Sequence, residues 1–319
     1  MHKNPFVSVV MVTYNSSSYV ALAIDSILNS SFRNFELIIS DDNSSDDTWE
    51  IILSFNDTRI KSIRNKINLG EYPNREQCIE MAKGDYLIFI DGDDIIYPHG
   101  LEFMTKMLNA FPDCGMALMI WFRNNVILPS VVTPYQFYIG EYFGNGFLGT
   151  AFSNVLFKVE VLKKQGKFLE KYKAGDDYIR YKIALNNNSL LINDGLTWWR
   201  ETPNQASSKL KESGQQLIEN FEMKLDFINY ENCPLSKIEK KLALSNINLI
   251  ITKEIFRNLK KGKINLALKI YRNFKIPFHF FLTPFKKIIE IDPFSNYSPS
   301  KPFYFPFNNN PYSPNEYNK

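Results

Sequence analysis

The first hundred residues alternate four times between a short strand-like run and a stripe of apolar residues at helical spacing. The strand-like runs are Val7–Val12, Phe35–Ser40, Arg59–Arg64 and Tyr86–Ile90. A continuous, β-branched run such as the first is typical of a parallel strand covered on both faces. Repeats of strand, helix and strand form right-handed β-α-β units. The alternation therefore predicts an α/β fold with a doubly wound, mostly parallel sheet.

Polar side chains follow three of these runs. The clusters are Thr13–Asn15, Asp41–Ser44 and Asp91–Asp94. The carboxyl ends of parallel strands meet at one edge of a sheet, where ligands bind in folds of this class. We therefore expect the three clusters to form one site.

The third cluster places three carboxylates within four positions, at Asp91, Asp93 and Asp94. Adjacent carboxylates repel one another, and the repulsion is costly at a strand end that holds little water. A divalent cation would remove that cost, because carboxylate oxygen suits magnesium or manganese. Taken alone, the cluster is equally consistent with a solvated acidic turn.

Further elements are predicted beyond residue 110. They are a strand at Cys114–Phe122, an irregular aromatic region at Asn124–Phe147, an extended segment at Thr150–Val161, a helix after Asp177 and a last strand at Leu190–Ile192. Beyond Ser207 the apolar spacing becomes helical, and Gly262 is expected to separate the two helices of a hairpin. We expect the final twenty-odd residues to be poorly ordered or irregularly docked.

Charge is unevenly distributed along the 319 residues. The formal net charge of +3 argues against a general nucleic-acid binder. However, the segment Lys253–Lys287 carries net +9, which leaves −6 for the rest of the chain. Phe274, Phe278, Phe280, Phe281 and Phe285 lie in the second half of this segment. Pro277 and Pro284 prevent a continuous spanning helix, so the segment is either a peripheral membrane contact or a solvated basic face.

Other features bear on the compartment. The three cysteines, Cys78, Cys114 and Cys233, form no C-x-x-C pair and indicate buried thiols in a reducing compartment. The N-terminal residues lack a signal-peptide pattern, and no apolar run is long enough to span a membrane. We expect a cytoplasmic protein, located at the inner face of the membrane if the basic segment contacts lipid.

Four motifs in order resemble the signature of family-2 nucleotide-sugar glycosyltransferases, which have the GT-A fold and invert the anomeric carbon. They are Val7–Asn15, Asp41–Ser44, Asn68–Gly70 followed by Arg75, and Asp91–Asp94. The match implies a GT-A catalytic domain over residues 1–207, with a nucleotide-binding half of about 1–110 and an acceptor-binding half of about 111–207. Residues 208–275 would be a helical extension and 276–319 a Pro- and aromatic-rich tail.

The resemblance implies roles for the matched residues. Tyr14 matches an aromatic that packs on uracil, Asp42 the carboxylate that accepts the uracil N–H, and Asp91 a ribose contact. Asp93, with Asp94 beside it, matches the metal-binding end of the motif and implies Mn²⁺ or Mg²⁺. The residues implied to bind the nucleotide are Thr13, Tyr14, Asn15, Asp41, Asp42, Arg75, Asp91, Gly92 and Arg200.

Residue by residue, other interpretations remain open. Tyr14 could be a core ring, the Asp41–Ser44 run an ordinary turn, and Arg75 a surface arginine on a helix. Arg200 is followed at Thr202 by threonine where the family often has histidine, which puts a third protein ligand to the metal in doubt.

The pair Asp176-Asp177 resembles the Glu-Asp pair of the family, whose second member is the usual general base. The acceptor hydroxyl must lose its proton, so a base is required. The resemblance selects Asp177, with Asp176 as the neighbouring alternative, because the first member here is Asp rather than Glu. Capping of the following helix is the competing interpretation.

The implied function is inverting transfer of a sugar from a nucleotide-diphosphate donor, a UDP-sugar, to a glycan or lipid-linked glycan, as in bacterial surface polysaccharide synthesis. A catalytically inactive sugar-nucleotide-binding module is an alternative. A nucleotidyltransferase is disfavoured, because no Gly-rich loop with Arg or Lys follows the first strand.

A dinucleotide dehydrogenase is a further rival. The segment Gly144–Gly149 spells G-x-G-x-x-G, with Glu170 about twenty residues on. No clear strand precedes it and an extended segment follows it, where that motif requires a helix. We interpret it as a loop beside the sugar and the acceptor.

Overall fold

The computed structural model describes residues 5–120, 126–168, 171–172, 175–202, 213–282 and 286–294. These ranges leave out residues 121–125, Glu170 and residues 295–319, which include the final twenty-odd residues of the predicted tail. In the first part of the chain, strands and helices alternate as β1 (Val7–Thr13), α1 (Val20–Leu28), β2 (Phe35–Asp41), α2 (Thr48–Ser54), β3 (Ile60–Arg64), α3 (Glu71–Met81), β4 (Tyr86–Phe89), β5 (Ile95–Ile96) and α4 (Gly100–Ala110).

The second part contains more helix than the sequence predicts. Its elements are β6 (Cys114–Ile120), β7 (Ser130–Val132), α5 (Pro134–Phe143), a 3₁₀ turn (Phe152–Asn154), β8 (Val155–Lys158), α6 (Val159–Lys164), α7 (Gly175–Asn186), β9 (Asn188–Asn193) and β10 (Thr197–Trp198). Three longer helices follow: α8 (Gln215–Ile228), α9 (Lys237–Lys260) and α10 (Ile264–Phe274), and then a 3₁₀ turn (Phe278–Phe280).

The eight-stranded sheet has the order β3-β2-β1-β4-β8-β6-β9-β7. Strands β1 to β4 are parallel, while β8 runs antiparallel to both β4 and β6, and β7 antiparallel to β9. The strands β1 and β2 are almost wholly buried, as their continuous apolar sequences predict. The predicted mostly parallel sheet is therefore confirmed.

Two hydrophobic cores lie on the two faces of the sheet. One contains residues of α1, α2 and α4, and the other contains residues of α3, of α5 to α7 and of the C-terminal helices α8 to α10. Asn246 of α9 donates to the carbonyls of Tyr142 and Ile289, and Tyr142 donates to the carbonyl of Lys224 in α8. The C-terminal helices thus pack directly on the part of the chain around α5. In the described residues, no helix is both long and apolar enough to cross a membrane.

Two sequence predictions for the middle of the chain were wrong. The region Asn124–Phe147, predicted to be irregular, contains β7 and the buried helix α5. A capping box at Thr133 and Gln136 starts this helix, with Pro134 at its first position. The segment Thr150–Val161 is extended only in β8, because a helical turn precedes that strand and α6 begins directly after it.

Two helix starts are set by the local chain. Asp47 precedes the first residue of α2, and the backbone N–H of Ser45 donates to the side chain of Asn15. Helix α4 begins at Gly100, two residues after Pro98. The predicted break at Gly262 is confirmed: its φ is +71°, and it lies between α9 and α10.

Candidate active site

The acidic turn after β4 lies at the carboxyl edge of the sheet. Ile90 continues the pairing with β1, and the N–H of Asp94 closes the turn on the carbonyl of Asp91 at 3.0 Å. A side chain at Gly92 would lie 2.8 Å from the methyl group of Thr13, so glycine permits this close approach of the turn to β1. The first and third predicted clusters are therefore in contact.

Crowding at this turn changes the acidity of Asp93 and Asp94. Burial, together with the charges of Asp91 and Asp93, raises the pKa of Asp94 to about 7. Burial and the charge of Asp91 also raise the pKa of Asp93. In addition, Asp91 Oδ1 is buried and has no hydrogen-bond partner. The crowding therefore favours the binding of a positive charge at this turn.

This donor set fits a divalent cation. Within the ranges that the structure covers, no three His, Cys, Asp or Glu side chains are arranged as a ready-made metal cage. Magnesium and manganese sites commonly use only one or two carboxylates and complete their octahedron with water and substrate phosphates. Asp93 and Asp94 could serve in that way, and the orphaned oxygen of Asp91 is consistent with an additional polar ligand.

Arg200 and Thr202 both contact the acidic turn. Arg200 donates from its backbone N–H to Asp94 Oδ1 at 3.2 Å and from Nε to the carbonyl of Asp93 at 2.9 Å. Its guanidinium lies near the rings of Tyr19 and Trp198, at 4.9 and 4.4 Å from their centroids. Thr202 Oγ1 is 3.4 Å from Asp93 Oδ2, so the threonine stands where it can contact the carboxylate.

The second cluster is joined to the first by hydrogen bonds. Thr13 Oγ1 donates to Asp41 Oδ1 at 3.2 Å, and the backbone N–H of Ser44 donates to Asp41 Oδ2 at 3.0 Å. The backbone N–H of Asn15, which has a φ of +51°, donates to Ser44 Oγ at 2.9 Å. Tyr14, which lies between Thr13 and Asn15, is 53% exposed, so its ring is not a core ring and its face is accessible.

Asp42 is buried, and most of the hydrogen-bond acceptor positions of its carboxylate are occupied. Its Oδ1 accepts from Asn65 Nδ2 at 2.8 Å and from the backbone N–H of Leu69 at 2.9 Å, and its Oδ2 accepts from the N–H of Gly70 at 2.8 Å. The Asn68–Gly70 motif is therefore held against the second cluster. Because a carboxylate offers about four acceptor positions, one remains at Asp42.

Arg75 is not the surface residue that a helix arginine commonly is. Its side chain is 2% exposed, and Nη2 donates to Asp91 Oδ2 at 2.8 Å and to Glu71 Oε1 at 3.0 Å. The guanidinium also lies over the rings of Phe89 and Phe152. Burial lowers the pKa of Arg75, but the charges of Asp91 and Glu71 outweigh it and raise that pKa overall. Its Nη1 is buried and has no hydrogen-bond partner, so this nitrogen of the guanidinium can still donate to a ligand.

The carboxylates Asp176 and Asp177 lie in the first turn of α7, and a hydrogen bond brings this helix to α3. Tyr72 Oη accepts the backbone N–H of Gly175 at 2.8 Å. Burial raises the pKa of Glu71, and the charges of both Asp91 and Asp176 raise it further. The charges of the acidic turn and of α7 therefore act on the same small region.

Asp177 has the acidity expected of a general base at neutral pH. Burial raises its pKa to about 7, against the opposing effect of Arg180, and the charges of Asp176 and Glu141 add to the rise. Its side chain is 18% exposed, so it is accessible to a ligand. Neither Arg180 nor Tyr72 was predicted from the sequence. The Glu71–Arg75 pair could have been, because its i,i+4 spacing is a recognised helix pairing.

The Gly144–Gly149 loop does not have the context of a dinucleotide site. Among the described residues, helix α5 precedes the loop where the motif requires a strand, and a 3₁₀ turn follows it where the motif requires a long helix. Glu141, near the end of α5, accepts from the backbone N–H groups of Phe147 and Leu148. The loop is thus organised by a buried carboxylate, not by a phosphate.

The chain is similar in sequence to glycosyltransferases. The profile of the family described as Glycosyl transferase family 2 matches residues 8–166. The UDP-Glc:alpha-D-GlcNAc-diphosphoundecaprenol beta-1,3-glucosyltransferase WfgD of Escherichia coli is 30% identical over 263 residues, which are 81% of this chain and 98% of the relative. The GalNAc(5)-diNAcBac-PP-undecaprenol beta-1,3-glucosyltransferase of Campylobacter jejuni is 35% identical over 108 residues, which are 33% of this chain and 35% of that relative.

The fold is similar to those of solved glycosyltransferase structures. S. aureus TarS 1-349 in complex with UDP-GlcNAc aligns with a TM-score of 0.62 at 20% identity, over 86% of this chain and 82% of that one. The mannosyltransferase PcManGT from Pyrobaculum calidifontis, in complex with GDP-Man and Mn²⁺, aligns with a TM-score of 0.60 at 17% identity, over 84% and 74%. The predicted GT-A type of fold is confirmed by these likenesses.

Proposed function

Since the chain belongs to glycosyl transferase family 2 and is a glycosyltransferase, we propose that it moves a sugar from a UDP-sugar to a hydroxyl of a lipid-linked glycan, with inversion at the anomeric carbon. The E. coli relative that aligns over most of this chain takes, by its name, UDP-Glc and a diphosphoundecaprenol-linked acceptor. We carry over the class of donor and acceptor, and not the identity of either sugar.

The observation that carries the proposal is the convergence of two carboxylate groups with different surroundings. The acidic turn has an orphaned oxygen at Asp91 and faces the edge of the sheet. Asp177 lies in the first turn of α7, which the hydrogen bond between Tyr72 and Gly175 joins to α3. A donor site and an acceptor base need this arrangement, because the base must act on the face of the sugar opposite the leaving group.

The uridine would bind against the first two clusters. The exposed ring of Tyr14 offers a stacking face. The remaining acceptor position of Asp42 suits the imide N–H of uracil, because a carboxylate can only accept. Arg75 Nη1 is an unsatisfied, buried donor next to Asp91, and it would meet an oxygen of the nucleotide. The roles of Thr13, Asn15, Asp41 and Gly92 would be to hold this edge in shape.

Asp93 and Asp94 would hold Mn²⁺ or Mg²⁺, with Arg200 beside them. When bound, such an ion stabilises the negative charge that develops on the departing diphosphate. Arg200 donates from its backbone N–H to the carboxylate of Asp94 and from Nε to the backbone carbonyl of Asp93, so its guanidinium charge lies next to this site. Thr202 would contact Asp93 without supplying the imidazole that the family often has at this position.

Asp177 would act as the general base. It takes the proton of the acceptor hydroxyl while the acceptor oxygen forms a bond to the anomeric carbon. The bond from that carbon to the diphosphate oxygen breaks, and its electron pair leaves with UDP. A pKa of about 7 matches this task at neutral pH.

The basic C-terminal segment would bring the enzyme to an anionic membrane, where a lipid-linked acceptor resides. Ile264, Leu268 and Tyr271 of α10 are 57%, 43% and 48% exposed and lie on one face of the helix. Phe278 is 75% exposed, whereas Phe280 and Phe281 pack on the core. An apolar face among ten Lys and Arg side chains is typical of interfacial helices. The predicted contributions of Pro284 and Phe285 lie outside the described residues.

The experiment that tests the function is a transfer assay after a donor screen. Thermal stabilisation by UDP-, GDP- and dTDP-sugars, with and without manganese, selects the donor. The selected donor is then offered with a synthetic GlcNAc-diphospho-lipid, and the product is read by mass spectrometry and by NMR of the anomeric proton. Binding of UDP-sugar without transfer to any lipid-linked acceptor would favour the inactive binding module. Nucleotide transfer to a sugar phosphate would favour a nucleotidyltransferase.

A further inference from the structure

The pair of carboxylates at the start of α7 is held by one buried cation. Arg180 is 1% exposed, and its Nη2 donates to Asp176 Oδ2 at 2.9 Å and to Asp177 Oδ1 at 2.5 Å. Its Nη1 donates to the carbonyl of Thr150 at 3.0 Å and lies 3.3 Å from the hydroxyl of the same residue. The Nε contacts the carbonyl of Asp176 at 3.3 Å. All three nitrogens of the Arg180 guanidinium therefore have hydrogen-bond partners.

The burial of a charged side chain at Arg180 requires a physical explanation. The other inward positions of α7, including Ile179, Tyr181 and Ile183, are buried and carry no charge. Burying an ion costs several kcal/mol before pairing, and apolar residues of similar size often replace buried ion pairs without loss of stability. An apolar side chain could not donate hydrogen bonds to two adjacent carboxylates and so fix their orientation. The arginine therefore serves the pair of carboxylates rather than the helix.

The same network fixes the loop that precedes Thr150. At the start of the loop, Glu141 Oε1 accepts the N–H of Leu148 at 3.1 Å, and Glu141 Oε2 accepts from Tyr181 of α7 at 3.1 Å. At its end, Thr150 is bound to Arg180 of the same helix. Both ends of the loop are thus attached to the helix that carries Asp177.

We propose that Arg180 is a positioning residue for transfer: it holds Asp177 by Oδ1, so that Oδ2 takes the proton, and it fixes the end of the Gly144–Thr150 loop to the same helix. The inference rests on the proposed role of Asp177 as the base. The charged groups that act on Asp177 are Arg180, Asp176, Glu141 and Lys224. Among them, Arg180 donates a hydrogen bond directly to its carboxylate.

The test compares Arg180→Lys and Arg180→Gln with the unchanged enzyme in steady-state transfer. Lysine keeps the charge, but its single ammonium cannot reproduce the fork between two carboxylates and a carbonyl. We expect kcat to fall about 100-fold in Arg180→Lys, the loss that a misplaced reacting group causes, with the KM for the donor unchanged. In Arg180→Gln the acid limb of the pH–rate profile should move to higher pH, because the positive charge that lowers the pKa of Asp177 is gone.

A control variant and Asp177→Asn separate failure of this inference from failure of the proposed base. Arg59 pairs with Asp57 before β3, and Arg59→Lys serves as the matched control that should leave kcat unchanged. If both Arg180 variants lose UDP binding together with kcat, the residue is only structural and the inference is overturned. If Asp177→Asn is inactive while Arg180→Lys turns over normally, the inference alone fails. If Asp177→Asn is fully active, the proposed base fails and the positioning role with it.

Discussion

Tyr72 Oη accepts the backbone N–H of Gly175 at 2.8 Å, and this bond joins α3 to the first residue of α7. The ring of Tyr72 stacks on Phe168, with centroids 4.9 Å apart. A side chain at Gly175 would lie 2.9 Å from the Tyr72 ring, so glycine allows the contact. The proposed nucleotide site and the proposed base are therefore held together by a tyrosine that no family motif identified.

Tyr72→Phe should uncouple the two halves of the site. The substitution removes the acceptor of a buried N–H, which costs about 1–3 kcal/mol, so the melting temperature should fall. Helix α7, which carries Asp177, would then no longer be held at a fixed distance from the bound UDP-sugar. For that reason kcat should fall while the affinity for UDP stays the same. Calorimetry of UDP binding and steady-state transfer measure the two effects. Tyr97→Phe, at an exposed tyrosine before α4, is the control, and equal kcat values for Tyr72→Phe and the control would refute the coupling.

Asp93→Asn should abolish the part of UDP affinity that depends on manganese. The amide keeps the shape of the side chain but removes the charge that attracts a cation. Calorimetric titration of UDP with and without Mn²⁺ measures this part. Asp113→Asn, in the turn before β6, is the matched control and should behave as the unchanged protein. Equal UDP affinity with and without metal in the unchanged protein would eliminate the metal site.

Charge on the outer face of α10 should release the enzyme from anionic vesicles. Leu268→Glu places an acid among exposed apolar residues without touching Ala267 or Ile270, which are buried beneath. Truncation before α10 would be less informative, because it would uncover those two core residues. Sedimentation with phosphatidylglycerol vesicles should show loss of binding for Leu268→Glu and weakening by salt for the unchanged chain. Leu22→Glu, at an exposed leucine of α1, controls for a general change of charge. Equal pelleting of all three proteins would exclude the membrane contact.

The parallel part of the sheet could be predicted because its physical signal is local. Fully buried strands such as β1 and β2 must be apolar at almost every position, and their polar ends must meet at one edge. The three polar clusters therefore locate that edge from the order of the residues alone. The family resemblance and the predicted fold class are both confirmed.

The middle of the chain was harder to predict because its helix is buried on most sides. The sequence of α5 shows little amphipathic periodicity, and its aromatic residues Phe137, Tyr138 and Tyr142 are all buried. The Thr133–Gln136 capping box was the available signal. The burial of Arg75 and Arg180 could not be predicted, because helical spacing does not show how deeply other elements enclose a side chain. Tertiary packing decided the environment of both arginines.

The central claim is that Asp177 removes the proton of the acceptor hydroxyl, and the measurement that tests it most directly is the pH–rate profile of the unchanged enzyme beside Asp177→Asn. A base must be ionised to act, and its pKa is raised to about 7, so kcat/KM should rise with pH up to about 7 and then level off. Asp177→Asn should lower kcat by about 10²–10⁴-fold and leave UDP affinity intact, while Asp176→Asn should retain more of its turnover. Turnover of Asp177→Asn close to that of the unchanged enzyme, with the acid limb still present, would contradict the account.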